Sequence, residues 1–209
     1  MKLTNGSDGI AGDLAGCPVF EVAPGEPYFE ASFRDAVLLS LEQGFVVVRS
    51  TPTGLERSIV TCDVGAGEIL LPPAPEEALF GLVQSRLIGI TADVRDRLLQ
   101  APRAADTLFE QLAQTLARRH EALGNFAHTR HIERVRRKLL QLAQIYGHVA
   151  VDGIRIEFPV SHTLLADMIG SSRETVTRSL DELQRAGFVV RWGHTYRLLV
   201  APERVLEPM

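Results

Sequence analysis

Arg173, Glu174 and Arg178 are the residues whose types and spacing fit a defined chemistry. A guanidinium fork donates to guanine O6 and N7 together, and a carboxylate accepts from cytosine N4. Val176, Leu180 and Leu183 recur at i, i+4 and i+7 and predict the buried stripe of a helix. Arg173, Glu174, Thr177, Arg178 and Asp181 then face outward. The two arginines lie near the start of that helix, the part that reaches base edges when a helix enters the major groove. A plainer alternative stands beside this: Ser171-x-x-Glu174 reads as a capping box, and Glu174 with Arg178 makes an exposed i, i+4 pair.

Positioning such a face takes a second helix and a turn. Residues 164–169 read as a short helix, Gly170-Ser171 as the turn, and the second helix runs to about Ala186, with Gly187 stopping it. A helix-turn-helix needs a small residue at the crossing, a glycine in the turn and an apolar lock on the second helix. Ala166, Gly170 and Val176 meet those needs at spacings of 4 and 6. A hairpin follows, with strands at 188–191 and 195–200 around Trp192-Gly193-His194. Gly193 allows close backbone approach, and Arg191, His194 and Arg197 are donors for phosphate. Trp192 has two readings, stacking on a sugar or packing under the hairpin.

Upstream, residues 36–91 read as short strands between turns. Strands at 36–42 and 45–50 flank Gln43-Gly44, a tight hairpin candidate; a loop at 51–54, a strand at 56–62, a turn at 63–67 and a strand at 68–71 follow. Pro72, Pro73 and Pro75 interrupt pairing before strands at 78–83 and 86–91. This spacing predicts a small antiparallel barrel or roll. Residues 93–100 read as a short helix, and Thr107-x-x-Glu110 as a capping box opening a long one. In it Phe109, Leu112, Leu116, Leu123 and Phe126 fall at steps of 3 and 4, broken only by Arg119, which is the a/d seam of a short coiled coil. The seam predicts a homodimer; its alternative is packing on the chain's own barrel. Ile132, Val135, Leu139, Leu142 and Ile145 mark a further amphipathic helix ending at Gly147. Its other face carries Arg130, Arg134, Arg137 and Lys138, a solvated surface or a polyanion contact.

The run Ser-Arg-Glu-Thr-Val-Thr-Arg from Ser172 to Arg178, the wing after Gly187 and the closing Ala201-Pro-Glu-Arg-Val resemble the Crp/Fnr family of bacterial transcription regulators. The resemblance spans the chain from about Phe20 and is most specific over 160–190. It implies an α+β protein: an antiparallel, cyclic-nucleotide-binding-like β-roll over residues 1–104, a long dimerisation helix over 105–128, and a winged helix-turn-helix over 129–209. It implies a sequence-specific regulator, homodimeric on a near-palindromic stretch of double-stranded DNA. Arg173, Glu174 and Arg178 would read bases; Ser172, Thr175, Thr177, Gly193, His194 and Arg191 would meet phosphates. RNA polymerase would be touched through surfaces including the loop before the first DNA-binding helix, around residues 151–157.

Composition bounds what else the chain can be. Its 209 residues carry 22 Lys/Arg against 26 Asp/Glu, a net charge of −4, so bulk charge alone does not signal nucleic acid. Residues 1–104 hold 8 basic against 14 acidic residues, and all six histidines lie beyond them. No apolar run approaches bilayer length and no secretory signal is visible, so the expected place is the cytoplasm. Without a histidine in the roll, the commonest general base and a haem ligand are missing, and an enzyme is not expected. Cys17 and Cys62 cannot hold an iron–sulfur cluster. Gly67-Glu68 resembles the start of the family's phosphate cassette, yet no arginine lies between Arg57 and Arg86, so cyclic AMP is not expected. Three inputs stay open: no effector, which is preferred; an unidentified small molecule in the roll; or redox sensing through Cys17 or Cys62, although Cys62 is expected to be buried.

Overall fold

The computed structural model describes residues 14–51, 58–126 and 128–200. They divide into two compact units between Glu121 and Ala122. In the N-terminal unit the strands are β1 (Val19–Val22), β2 (Pro27–Tyr28), β3 (Ala36–Gln43), β4 (Phe45–Ser50), β5 (Ile59–Gly65), β6 (Ile69–Leu70), β7 (Glu77–Gly81) and β8 (Ser85–Thr91). They form two four-stranded sheets, ordered β1-β8-β3-β6 and β2-β7-β4-β5, with every strand pair antiparallel. Residues at period two on facing strands, Leu39 and Leu41 against Val46 and Val48, fill the core between them. Gln43-Gly44, a tight hairpin candidate in the sequence, instead carries the chain from β3 in one sheet to β4 in the other; Gly44 has φ 99°, and a Cβ there would collide with Ser85.

The roll is as expected, with differences in detail. β1 and β2 carry no local signal; β1 pairs with β8, more than sixty residues away. β5 continues through Asp63–Gly65, expected as turn, because Val64 and Cys62 both point into the core. The loop at 52–54 and the start of the strand at 56 lie outside the described residues.

Two helices follow, α1 (Ala92–Gln100) and α2 (Pro102–Phe126). The long helix starts at proline rather than at the Thr107 box. Proline suits the first helical position because its missing N–H would be unsatisfied there anyway. Thr107 instead donates its hydroxyl to the Arg103 carbonyl, 2.9 Å away, inside the helix. The inward face of α2 runs Ala104, Leu108, Gln111, Thr115, Arg118, all buried. The first two join Leu38, Ile90, Val94 and Leu98 in a second core cluster. The last three are polar and reach main-chain oxygens of the roll: Gln111 Nε2 donates to Gly67 O (3.1 Å), Thr115 Oγ1 to Ile69 O (2.8 Å) and Arg118 Nη1 to Asp63 O (3.2 Å). Of the expected seam, Leu112 is half-buried against the second cluster, while Phe109, Leu116 and Leu123 keep 61–69% of their surface exposed.

The C-terminal unit contains α3 (His131–Tyr146), β9 (Gly147–Ala150), β10 (Gly153–Ile156), α4 (His162–Ile169), α5 (Arg173–Arg185), β11 (Val189–Trp192) and β12 (Thr195–Leu198). Its sheet is ordered β11-β12-β10-β9. The stretch 151–157, expected as a loop, contains the turn and second strand of the β9–β10 hairpin; Ile154 and Ile156 are buried there. Lys138, expected on the solvated face of α3, is 3% exposed and donates to Gln141 Oε1 at 2.9 Å. The closing residues 201–205 lie outside the described residues. Among the described residues no helix is long and apolar enough to cross a membrane.

Candidate nucleic-acid interface

The face expected to read DNA is built from α4, a glycine turn and α5. Ser161 caps α4 by accepting from the Leu164 N–H at 3.0 Å. Gly170 ends it in the left-handed region (φ 61°, ψ 46°), and the Ser171 N–H returns to Ala166 O at 3.0 Å. The N-cap of α5 is Ser172, not Ser171: Ser172 Oγ accepts from the Thr175 N–H at 3.1 Å. Ser171 is buried, and its hydroxyl lies 3.1 Å from His131 Nδ1. The expected box therefore shifts by one residue, and Glu174 is no longer its third member.

Val176, Leu180 and Leu183 are buried with Ser179, which fixes the roll angle of α5. Arg173, Glu174, Arg178 and Asp181 are exposed, as the stripe predicts. Glu174, in the first turn, suits the positive end of the helix dipole. Ser172 and Thr175 are half-buried at the same end, their hydroxyls 2.9 Å apart.

Thr177 is placed differently from its neighbours. Its hydroxyl donates to Arg173 O at 2.9 Å and lies 2.8 Å from His162 Nδ1. A threonine has one proton to give, so Nδ1 of the imidazole donates in return. Burial, then the charges of Arg191 and Arg173, hold the His162 pKa below its ordinary value, with Asp181 opposing. Thr177 thus has no spare proton for a phosphate in this state. Sequence reasoning misses His162 because nothing local links it to a residue fifteen positions on.

The wing presents Arg191, Trp192, Gly193 and His194 to solvent. Gly193 has φ 62°, Arg191 Nε donates to its carbonyl at 2.9 Å, and His194 O accepts from Val160 N at 2.9 Å. Trp192 is 68% exposed, so it does not pack under the hairpin; the Arg197 guanidinium sits 5.2 Å from its ring centroid. Arg197 also pairs with Asp152. No group of three or more His, Cys, Asp or Glu among the described residues is placed to hold a metal.

Residues 133–205 match a family model described as a Crp-like helix-turn-helix domain. A CRP-like cAMP-activated global transcriptional regulator of Mycobacterium tuberculosis is 25% identical over 172 residues, 80% of this chain and 74% of that one. A Crp-family transcriptional regulator from Thermus thermophilus has a solved structure with TM-score 0.69 and 25% identity, over 90% of this chain and 96% of that one. Residues 133–205 are a Crp-like helix-turn-helix domain. A mutant of CooA from Carboxydothermus hydrogenoformans shares the fold at TM-score 0.76 and 15% identity, covering 93% of this chain and 88% of its own. These relatives are named as transcriptional regulators, and the α4–α5 pair described above lies within the matched helix-turn-helix domain.

Proposed function

We propose that this chain is a Crp/Fnr-family regulator that binds DNA as a homodimer, reading each half of a near-palindromic operator with Arg173, Glu174 and Arg178, and that it needs no cyclic nucleotide to do so. The observation that carries the reading is the exposed trio on α5, held outward by the buried stripe beneath it. Ser172, Thr175, Arg191, Gly193 and His194 border the trio and would take phosphates, fixing register without reading sequence. Phe109, Leu116 and Leu123 repeat every seven residues on α2 and stay exposed. Identical stripes cover one another about a two-fold axis, which supports the homodimer. Contact with RNA polymerase would use the β9–β10 hairpin, where Val151 is fully exposed. The setting is the cytoplasm, where bacterial DNA lies.

Independence from an effector rests on the roll. The M. tuberculosis relative is named for activation by cAMP, and a cyclic phosphate needs cationic or N–H donors. Here Arg118 donates to Glu68 Oε2 at 2.8 Å, and Arg119 pairs with Glu77 at 3.3 Å. Two guanidinium groups that reach the sheet are therefore engaged by the chain's own carboxylates. Cys62 is 2% exposed, and its thiol is pushed up to about 11, chiefly by burial and then by Asp63, which keeps it protonated and unreactive.

The test is a gel shift over a salt series, using sequences selected from a random pool with and without cell extract. Arg173→Ala and Arg178→Ala should each cost about 1–3 kcal/mol and relax one base position. Unchanged affinity and base preference in both would overturn the base-reading assignment; selection only with extract would overturn effector independence.

A further inference from the structure

The last turn of α2, the residues at 128–130, α3 and the helix-turn-helix lie in one compact unit. The side chain that spans the joint is Arg134, on the first turn of α3. Its Nη2 donates to Phe126 O at 2.8 Å, its Nε to His128 O at 2.5 Å and its Nη1 to Ile169 O at 3.4 Å. One planar guanidinium therefore takes the end of the long helix, the connecting segment and the end of α4 together. The carbonyls at helix C-termini have no partner within the helix, so a cation is the natural group to satisfy them.

A second contact locks the same joint. The Phe126 ring lies against Gly170, where a Cβ would come within 2.8 Å of it. Gly170 already needs a positive φ to end α4, so the turn is doubly confined to glycine. His131 extends the joint to Ser171, one residue before the cap of α5, through its Nδ1 at 3.1 Å from the serine hydroxyl.

Leu123, exposed on the stripe, sits one turn before Phe126 on the same stretch of helix. The joint therefore fixes the offset between a stripe residue and the reading helix of the same unit. We infer that Arg134 is a positioning residue that sets the half-site spacing this protein accepts. The inference rests on the homodimer reading: in a two-fold dimer, a fixed offset in each copy becomes a fixed distance between the two α5 helices. Half-sites about one helical turn apart then fit, and others do not. Arg134 touches no base in this scheme. A free joint would let each α5 dock alone and would erase the spacing preference while leaving the preferred bases unchanged.

The experiment is binding of the full-length protein to a series of duplexes with one selected half-site repeated at spacings one and two base pairs shorter and longer than the best. The wild type should favour one spacing, and Arg134→Ala should shrink that preference by roughly tenfold, the loss expected when charge-assisted bonds no longer stiffen the joint. Arg134→Lys, which keeps the charge but cannot fork to three carbonyls, should fall between them and guards against misfolding of the alanine variant. Circular dichroism and the base preference at a single half-site should stay at wild-type values. If the wild type favours one spacing and both variants keep that preference, the role of Arg134 is refuted while the dimer reading stands. A wild type indifferent to spacing overturns the dimer reading and this inference with it.

Discussion

Arg118→Met tests how α2 is held to the roll. The guanidinium is 8% exposed in its side chain and donates to Asp63 O and to Glu68 Oε2. The same carboxylate oxygen accepts the Gly65 N–H at 2.6 Å, so Glu68 cannot swing away to find water without breaking a turn. Losing one partner of a buried ion pair costs about 3–5 kcal/mol. Glu68 keeps 21% of its side chain exposed, which moves the expectation to the lower end, about 3 kcal/mol. Methionine retains the apolar stem, so the loss is electrostatic rather than a cavity. Urea unfolding followed by far-ultraviolet circular dichroism reads the cost. Adding Glu68→Met should recover part of it, because the stranded charge disappears, with a coupling of about 1–3 kcal/mol. A cost below about 0.5 kcal/mol, the level of an ordinary surface change, would refute the claim that this pair holds the helix. Strict additivity of the two substitutions would refute it equally.

Two further outcomes follow from the geometry. Leu116→Glu places a charge in the middle of the exposed α2 stripe and should shift sedimentation from dimer to monomer without changing the helix content; an unchanged dimer would show that α2 does not form the contact. The lowered His162 pKa means that, as pH falls through about 6.5, the unfolded chain takes up a proton that the folded one refuses. Stability should therefore drop on acidification below that pH and be unaffected above it, and His162→Asn should lose less between about pH 7.5 and 5.5 in thermal unfolding; equal losses would exclude the imidazole as the cause.

What the sequence discloses follows the range of the interactions. Ala166, Gly170 and Val176 act within a dozen residues, so the α4–turn–α5 unit and its outward trio are legible. The cap is displaced by one because Ser171 and Ser172 are chemically equivalent as caps, and only the bond from His131, forty residues away, engages the first. β1 escapes notice for the same reason, because its partner β8 lies far along the chain, and β10 is likewise held on one side by the distant β12. Lys138 reads outward from its type alone, whereas Gln141 one turn on gives its ammonium an acceptor. On α2 the pattern assigns the apolar residues to an interface and the polar ones to water. The polar ones are in fact buried, because the roll offers carbonyl oxygens at that edge rather than apolar side chains.

Gln111, Thr115 and Arg118 each address an oxygen that every amino acid supplies. The attachment of α2 is thus largely blind to which residues occupy positions 63, 67 and 69. Mutations can rewrite the lining of the roll, even to the point of discarding a former small-molecule specificity, and the helix still finds its berth. A scaffold wired in this way can outlive the signal it once served.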